Sequence, residues 1–259
     1  MSGIDPGWAL AAIFLSIRIG AVALLAPPLA GGMIPASVRV AIVLSWSAVF
    51  AALAGATPGT NTGLQWPPSL GNLLLGAANE AMLGAVMALG LNMAFAMFSL
   101  GARLLDVQIG FGIGQVFDPL TRQQSPVLGV LYSQLAGVCF FLLDIHHAML
   151  RGLALSIDAI PPGAHWPPEA LLQAITRQAG QMFSLGFAMV APIVFCLMLA
   201  ELGLGVLSRN LPQMNTLVVG VPVKIVVGVA ALGFWVSMAT HPMQKAYDST
   251  FVAWSALWR

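Results

Sequence analysis

The sequence predicts an all-α integral membrane protein, and three observations lead there: scarce charge, long apolar runs, and helix breakers gathered between those runs. Of 259 residues, 59% are hydrophobic and only 7% are charged, where soluble domains carry about a quarter. Six apolar blocks cover approximately residues 8–26, 38–54, 70–100, 127–157, 180–208 and 217–239. Each approaches or exceeds the ~20 residues that a spanning helix needs. Pro27-Pro28, the stretch from Gly55 to Pro68, Pro161-Pro162 with Pro167-Pro168, and the turn at Asn210 to Gln213 separate them. The net charge of +1 gives no footprint for nucleic acid.

Taken in order, the first block (Trp8 to Ala26) lacks a basic leader and carries Arg18 at its centre, so it reads as a retained helix rather than a signal peptide. The second is short for a full crossing and is expected to be tilted or incomplete. The third and fourth are overlong and are expected to project from the bilayer or to break. Cys139 and Cys196 sit within apolar runs and read as small buried hydrophobes. Lys and Arg are spread so evenly over the connections that orientation stays open.

Ionisable residues inside these blocks carry the most information, because each is costly in lipid. Arg18, Glu80, Asp144 with His146-His147, Glu201 and Lys224 are such groups. One reading is a secondary transporter with a proton relay through Glu80, Asp144 and Glu201. The other is interhelical pairing that supports assembly, and it is favoured because the groups do not recur in corresponding halves of the chain. Asp144, His147 and Arg151 follow helical spacing and would share one face. No metal site is expected there, since adjacent imidazoles diverge by about 100° on a helix. Ala77, Ala81 and Ala85, with Gly84 and Ala88 beside them, suggest a face for close helix packing.

Gly110-Phe111-Gly112-Ile113-Gly114 is not a nucleotide loop, because Gln115 stands where the third glycine belongs and no βαβ unit surrounds it. It reads instead as irregular backbone that protein or a cavity must cover. No catalytic triad, Walker loop or paired-carboxylate cleft is present in the sequence, which therefore reads as non-enzymatic and free of cofactors.

Several motifs occur together and in order: Asp106-Val-Gln108-Ile-Gly110-Phe-Gly112, Val116-Phe117-Asp118-Pro119, Ser125-Pro126-Val127-Leu128, and Phe140-Phe141-x-x-Asp144-x-His146-His147. Arg18 and Pro35-x-x-Val38-Arg39 precede them; Glu201-x-x-Leu204-Gly205, Arg209-Asn-x-Pro212-Gln213-x-Asn215 and Pro222-x-Lys224 follow. The whole set resembles the FliR family of flagellar biosynthetic proteins, which has counterparts in virulence type III secretion. The resemblance implies a channel-forming export-gate subunit that conducts unfolded flagellar proteins across the bacterial inner membrane. Expected partners are FliP-like and FliQ-like subunits, FlhB-like and FlhA-like export proteins, and lipid. It further implies a FliP-like part over 1–160 with a plug loop at 106–125, and a FliQ-like part over 161–259, partly raised to the periplasmic side. Gln108, Gly110, Phe111, Gly112, Gly114, Phe117, Asp118 and Pro119 map onto the plug. Arg209, Pro212, Gln213 and Asn215 map onto a base turn that contacts a partner.

Overall fold

A computed structural model describes residues 6–30, 34–55, 69–111, 127–166, 169–210, 216–238 and 240–257. Among these residues there is no strand. The helices are α1 (Pro6–Leu25), α2 (Pro27–Ala30), α3 (Ala36–Gly55), α4 (Leu70–Ile109), α5 (Val127–Leu142), α6 (Ile145–Ala159), α7 (Glu169–Asn210), α8 (Thr216–Met238) and α9 (Thr240–Leu257). Five of them are long and apolar enough to cross a membrane, or six spans if α5 and α6 together form one. The chain is thus the all-α membrane protein that its hydropathy predicts.

The expectations for the second block and for the end of the chain change, whereas the third block stays overlong and the fourth breaks, as its length suggested. The second block is not short: α3 runs 20 residues, enough for a full crossing. The third continues to Ile109 as one 40-residue helix. The fourth breaks, and α5 and α6 bend by 69° about Leu143-Asp144. Asp144 takes a left-handed φ of 57° there, a conformation Asp tolerates better than most side chains. Asp144 therefore stands at the N-cap position of α6, where its carbonyl accepts the His147 and Ala148 N–H groups at 3.0 and 3.4 Å, and its carboxylate still meets His147 as the spacing predicted. Finally, α9 lies beyond all six apolar blocks. His241, Lys245 and Asp248 dilute its hydropathy, yet Met243, Ala246, Tyr247, Thr250, Ala253 and Trp254 are buried along one helical stripe.

By contact the chain divides into two compact units, each assembled from non-contiguous segments. The first takes residues 1–93, 144–179 and 248–259. In it α1 packs along α3, and Phe14, Leu15, Ile19 and Val22 of α1 are buried together with Leu83, Met87 and Leu91 of α4. Gly84 permits the close approach of α4 to α1. A Cβ there would lie 2.3 Å from the Arg18 carbonyl oxygen and 2.7 Å from Ala21 Cβ. Gly76 plays the same part beneath Phe14, where a Cβ would meet the ring at 2.9 Å. The packed face of α4 is therefore Gly76, Glu80, Gly84 and Ala88, while Ala81 is exposed. The alanine face expected from the sequence is one residue out of step, because removing the Cβ altogether allows closer contact than alanine does.

Gly84 supplies a clean test of that contact. Alanine normally stabilises a helix interior by about 1 kcal/mol over glycine. Gly84→Ala should instead destabilise the protein by about 1–3 kcal/mol, as overpacking does, and lower its thermal unfolding midpoint. An unchanged or raised midpoint would show that α1 and α4 have room to separate.

The second unit takes residues 94–143 and 180–247. Its centre is aromatic: Tyr247 lies 5.4 Å from Phe98, 5.8 Å from Phe95 and 5.9 Å from Phe140, centroid to centroid. The Tyr247 hydroxyl donates to the Ala136 carbonyl at 2.7 Å. Burial, and secondarily the Cys139 sulfur, pushes that phenol well above its ordinary range, so it stays a donor. Tyr132 stacks on Trp235 at 5.7 Å. By contrast α7 and α8 leave Phe183, Phe187, Phe195, Leu202, Val226 and Phe234 exposed. That is the pattern of helices facing lipid or a protein partner rather than water.

Candidate functional site

Among the described residues, four ionisable groups inside the apolar helices form two charge pairs, Arg18 with Glu80 and Lys224 with Glu201. In the first unit Arg18 projects from the middle of α1 and Glu80 from α4. Both side chains are fully buried. Arg18 Nε donates to Glu80 Oε2 at 2.7 Å and Nη2 to Oε1 at 3.0 Å, a two-pronged arrangement that suits the planar guanidinium. Nη1 donates to the Ser156 carbonyl at 2.9 Å and to its hydroxyl at 3.1 Å, and Nη2 also reaches the Ile160 carbonyl at 3.0 Å. Those carbonyls close α6, where unpaired C=O groups concentrate negative partial charge. Glu80 Oε1 accepts a further bond from the Gly163 N–H at 2.9 Å. Gly163 has φ 80°, a conformation that glycine reaches without strain. Arg18 and Glu80 thus fasten α1, α4, the end of α6 and the following turn at one point.

In the second unit Lys224 of α8 donates to Glu201 of α7. This pair is only part-buried and borders a cavity of about 450 Å³, lined also by Ile109, Gly110, Leu204, Ser208, Gly220 and Val221. Asp106, near the end of α4, is 4% exposed. Its Oδ1 accepts the Leu128 N–H at 3.1 Å and its Oδ2 the Gly129 N–H at 3.2 Å. An anion accepting the first N–H groups of α5 satisfies donors that the helix itself cannot. Sequence reasoning quoted Asp106 only as part of a motif. Its partners lie more than twenty residues on, so no local signal marks them.

The remaining predicted residues are placed as follows. Asp144 and His147 meet at 3.4 Å, Oδ1 to Nδ1, and both are exposed. Gln108 lies in the last turn of α4, Gly110 turns the chain with φ 97°, and Phe111 follows half-exposed. Gly112, Gly114, Phe117, Asp118 and Pro119 lie outside the described residues. Arg209 is exposed in the last turn of α7, complementary to that helix end; Pro212, Gln213 and Asn215 lie outside the described residues. One buried polar cluster was not foreseen. Gln178 Nε2 donates to the Gly90 carbonyl at 3.0 Å and to Thr250 Oγ1 at 3.3 Å. Beside it Trp254 fills the space over Gly90 and Gly152, where a Cβ would lie 2.6 Å and 2.5 Å from its ring atoms.

These features define a polytopic helical membrane protein with a buried Arg18–Glu80 pair and a part-buried Lys224–Glu201 pair among its described residues. Residues 9–250 match the model of the bacterial export proteins, family 1. The chain is 32% identical over 190 residues to the flagellar biosynthetic protein FliR of Bacillus subtilis (strain 168), covering 71% of this chain and 73% of that one. Against FliR of Caulobacter vibrioides the identity is 22% over 220 residues, 85% and 86% of the two chains. The secretion system apparatus protein SsaT of Salmonella typhimurium matches at 26% over 150 residues, 58% of each. The chain belongs to the bacterial export proteins, family 1, the family that includes FliR.

Proposed function

We propose that this protein is a channel-forming export-gate subunit of the flagellar type III secretion apparatus, conducting unfolded flagellar proteins across the inner membrane. The observation that carries this reading is the state of the buried charges. A proton relay needs carboxylates with free oxygens on a hydrated path. Glu80 instead holds Arg18 through both oxygens and accepts Gly163 as well, and Glu201 is engaged by Lys224. Glu80, held on both oxygens, fixes helices and does not shuttle protons. The exposed aromatic and aliphatic side chains of α7 and α8 supply apolar surface for neighbouring subunits.

On this reading FliP-like and FliQ-like subunits cover that surface, with FlhB-like and FlhA-like proteins in the same basal-body assembly. Residues 1–160 form the FliP-like part and 161–259 the FliQ-like part, a division by relatedness that is distinct from the two contact units. The stretch from Gln108 through Gly110, Phe111, Gly112, Gly114 and Phe117 to Asp118 and Pro119 is the plug. The Arg209, Pro212, Gln213 and Asn215 turn is the partner-contacting base. Co-expression with FliP-like and FliQ-like proteins tests this directly: the chain should purify bound to both, and its yield should fall when either is omitted. If it purified alone and moved a small solute in liposomes, the transporter reading would replace this one.

A further inference from the structure

Asp144, His146 and His147 each offer one metal-ligating atom, and these atoms all lie within 4.8 Å of one another. Adjacent imidazoles leave a helix about 100° apart, yet here their side-chain torsions bring the two rings together. Asp144 stands at the N-cap of α6 with φ 57°, three residues before His147, and its carboxylate lies over the first turn of that helix. His147 Nδ1 then stands 3.4 Å from Asp144 Oδ1, and the imidazole rings of His146 and His147 lie with their centroids 4.1 Å apart.

Donors around a tetrahedral ion with bonds of about 2.0–2.2 Å stand roughly 3.4 Å from one another. The Asp144–His147 contact already has that spacing. Asp144 and His147 are exposed, their side chains 73% and 61% accessible, so rotating them closes the remaining distance without disturbing packing. We propose that Asp144, His146 and His147 form a three-ligand site for a divalent transition metal of the zinc class, completed by water. Two imidazoles with one carboxylate suit zinc, cobalt or nickel, whereas calcium and magnesium prefer oxygen donors throughout. The site is independent of the export-gate reading, since it would form whatever the chain conducts.

The test uses the full chain without a polyhistidine tag, purified with whatever subunits accompany it, and Zn²⁺ alone as probe. Wild type should bind one Zn²⁺ per chain by calorimetry, and Co²⁺ should give visible ligand-field bands there. His147→Ala and Asp144→Asn should each weaken Zn²⁺ binding at least about tenfold and abolish the bands. Asn also tolerates the left-handed conformation, so Asp144→Asn removes the ligand while keeping the break. Absence of binding in wild type would overturn the proposal and leave an ordinary His–Asp contact. Equal binding in wild type and both variants would overturn it too, by locating the metal elsewhere.

Discussion

Replacing Arg18 with alanine should collapse the first unit, because it strands the Glu80 carboxylate among apolar helices. Removing one partner from a buried ion pair costs about 3–5 kcal/mol, and here the loss also takes the Arg18 donor from the Ile160 carbonyl and one of the two donors from the Ser156 carbonyl. Glu80→Ala should be comparably severe, since it frees both the guanidinium and the Gly163 N–H. Arg18→Lys should fall between, as an ammonium keeps the charge but cannot present the same planar fork. The decisive variant is the double replacement Arg18→Met with Glu80→Leu. If the pair acts only by mutual satisfaction, the double variant should recover much of the stability that either single change removes. Yield of folded protein and its thermal unfolding midpoint would measure all four. Normal yield and midpoint in Arg18→Ala would show that the pair is not a structural fastening. A double variant that folds but abolishes export would assign the charges a role beyond assembly.

Much of the fold is legible in the sequence, for a physical reason: in lipid, backbone groups must be satisfied within each segment, so apolar runs announce helices. The bend at Asp144 was legible as an interruption of the fourth block, but not as a left-handed residue, because a polar residue in an apolar run does not reveal its φ. Hydropathy missed α9, since only a stripe of that helix is buried. For the charges, the residue types could be found by their cost in lipid, whereas their partners could not. Arg18 and Glu80 stand 62 residues apart, and only packing brings them together. Gly84 illustrates the same gap: the sequence indicates a small-residue face on α4, and only the backbone of α1 shows that the glycine, and not the alanines, occupies the contact.

Asp106→Ala should destabilise the second unit by loosening the start of α5, and it isolates a single function of one side chain. The change removes the acceptor for the Leu128 and Gly129 N–H groups and the negative charge at the start of α5. Losing such a cap costs about 0.5–2 kcal/mol, and the favourable helix-end charge adds up to about 1 kcal/mol. Asp106→Asn should be milder, since the amide keeps one oxygen acceptor but neither the second nor the charge. Hydrogen exchange at Leu128 and Gly129 measures the local effect, with protection expected to fall in the order wild type, Asn, Ala. Because Asp106 ties the end of α4 to the start of α5, it holds both ends of the connection in which the proposed plug lies. If that proposal is right, Asp106→Ala should raise the ion conductance of membranes containing the assembled complex. Leu128 and Gly129 protection falling without any rise in conductance would keep the cap and remove the plug. Unchanged protection would show that α5 starts without help from Asp106, and the physical link between this carboxylate and the gate would be lost.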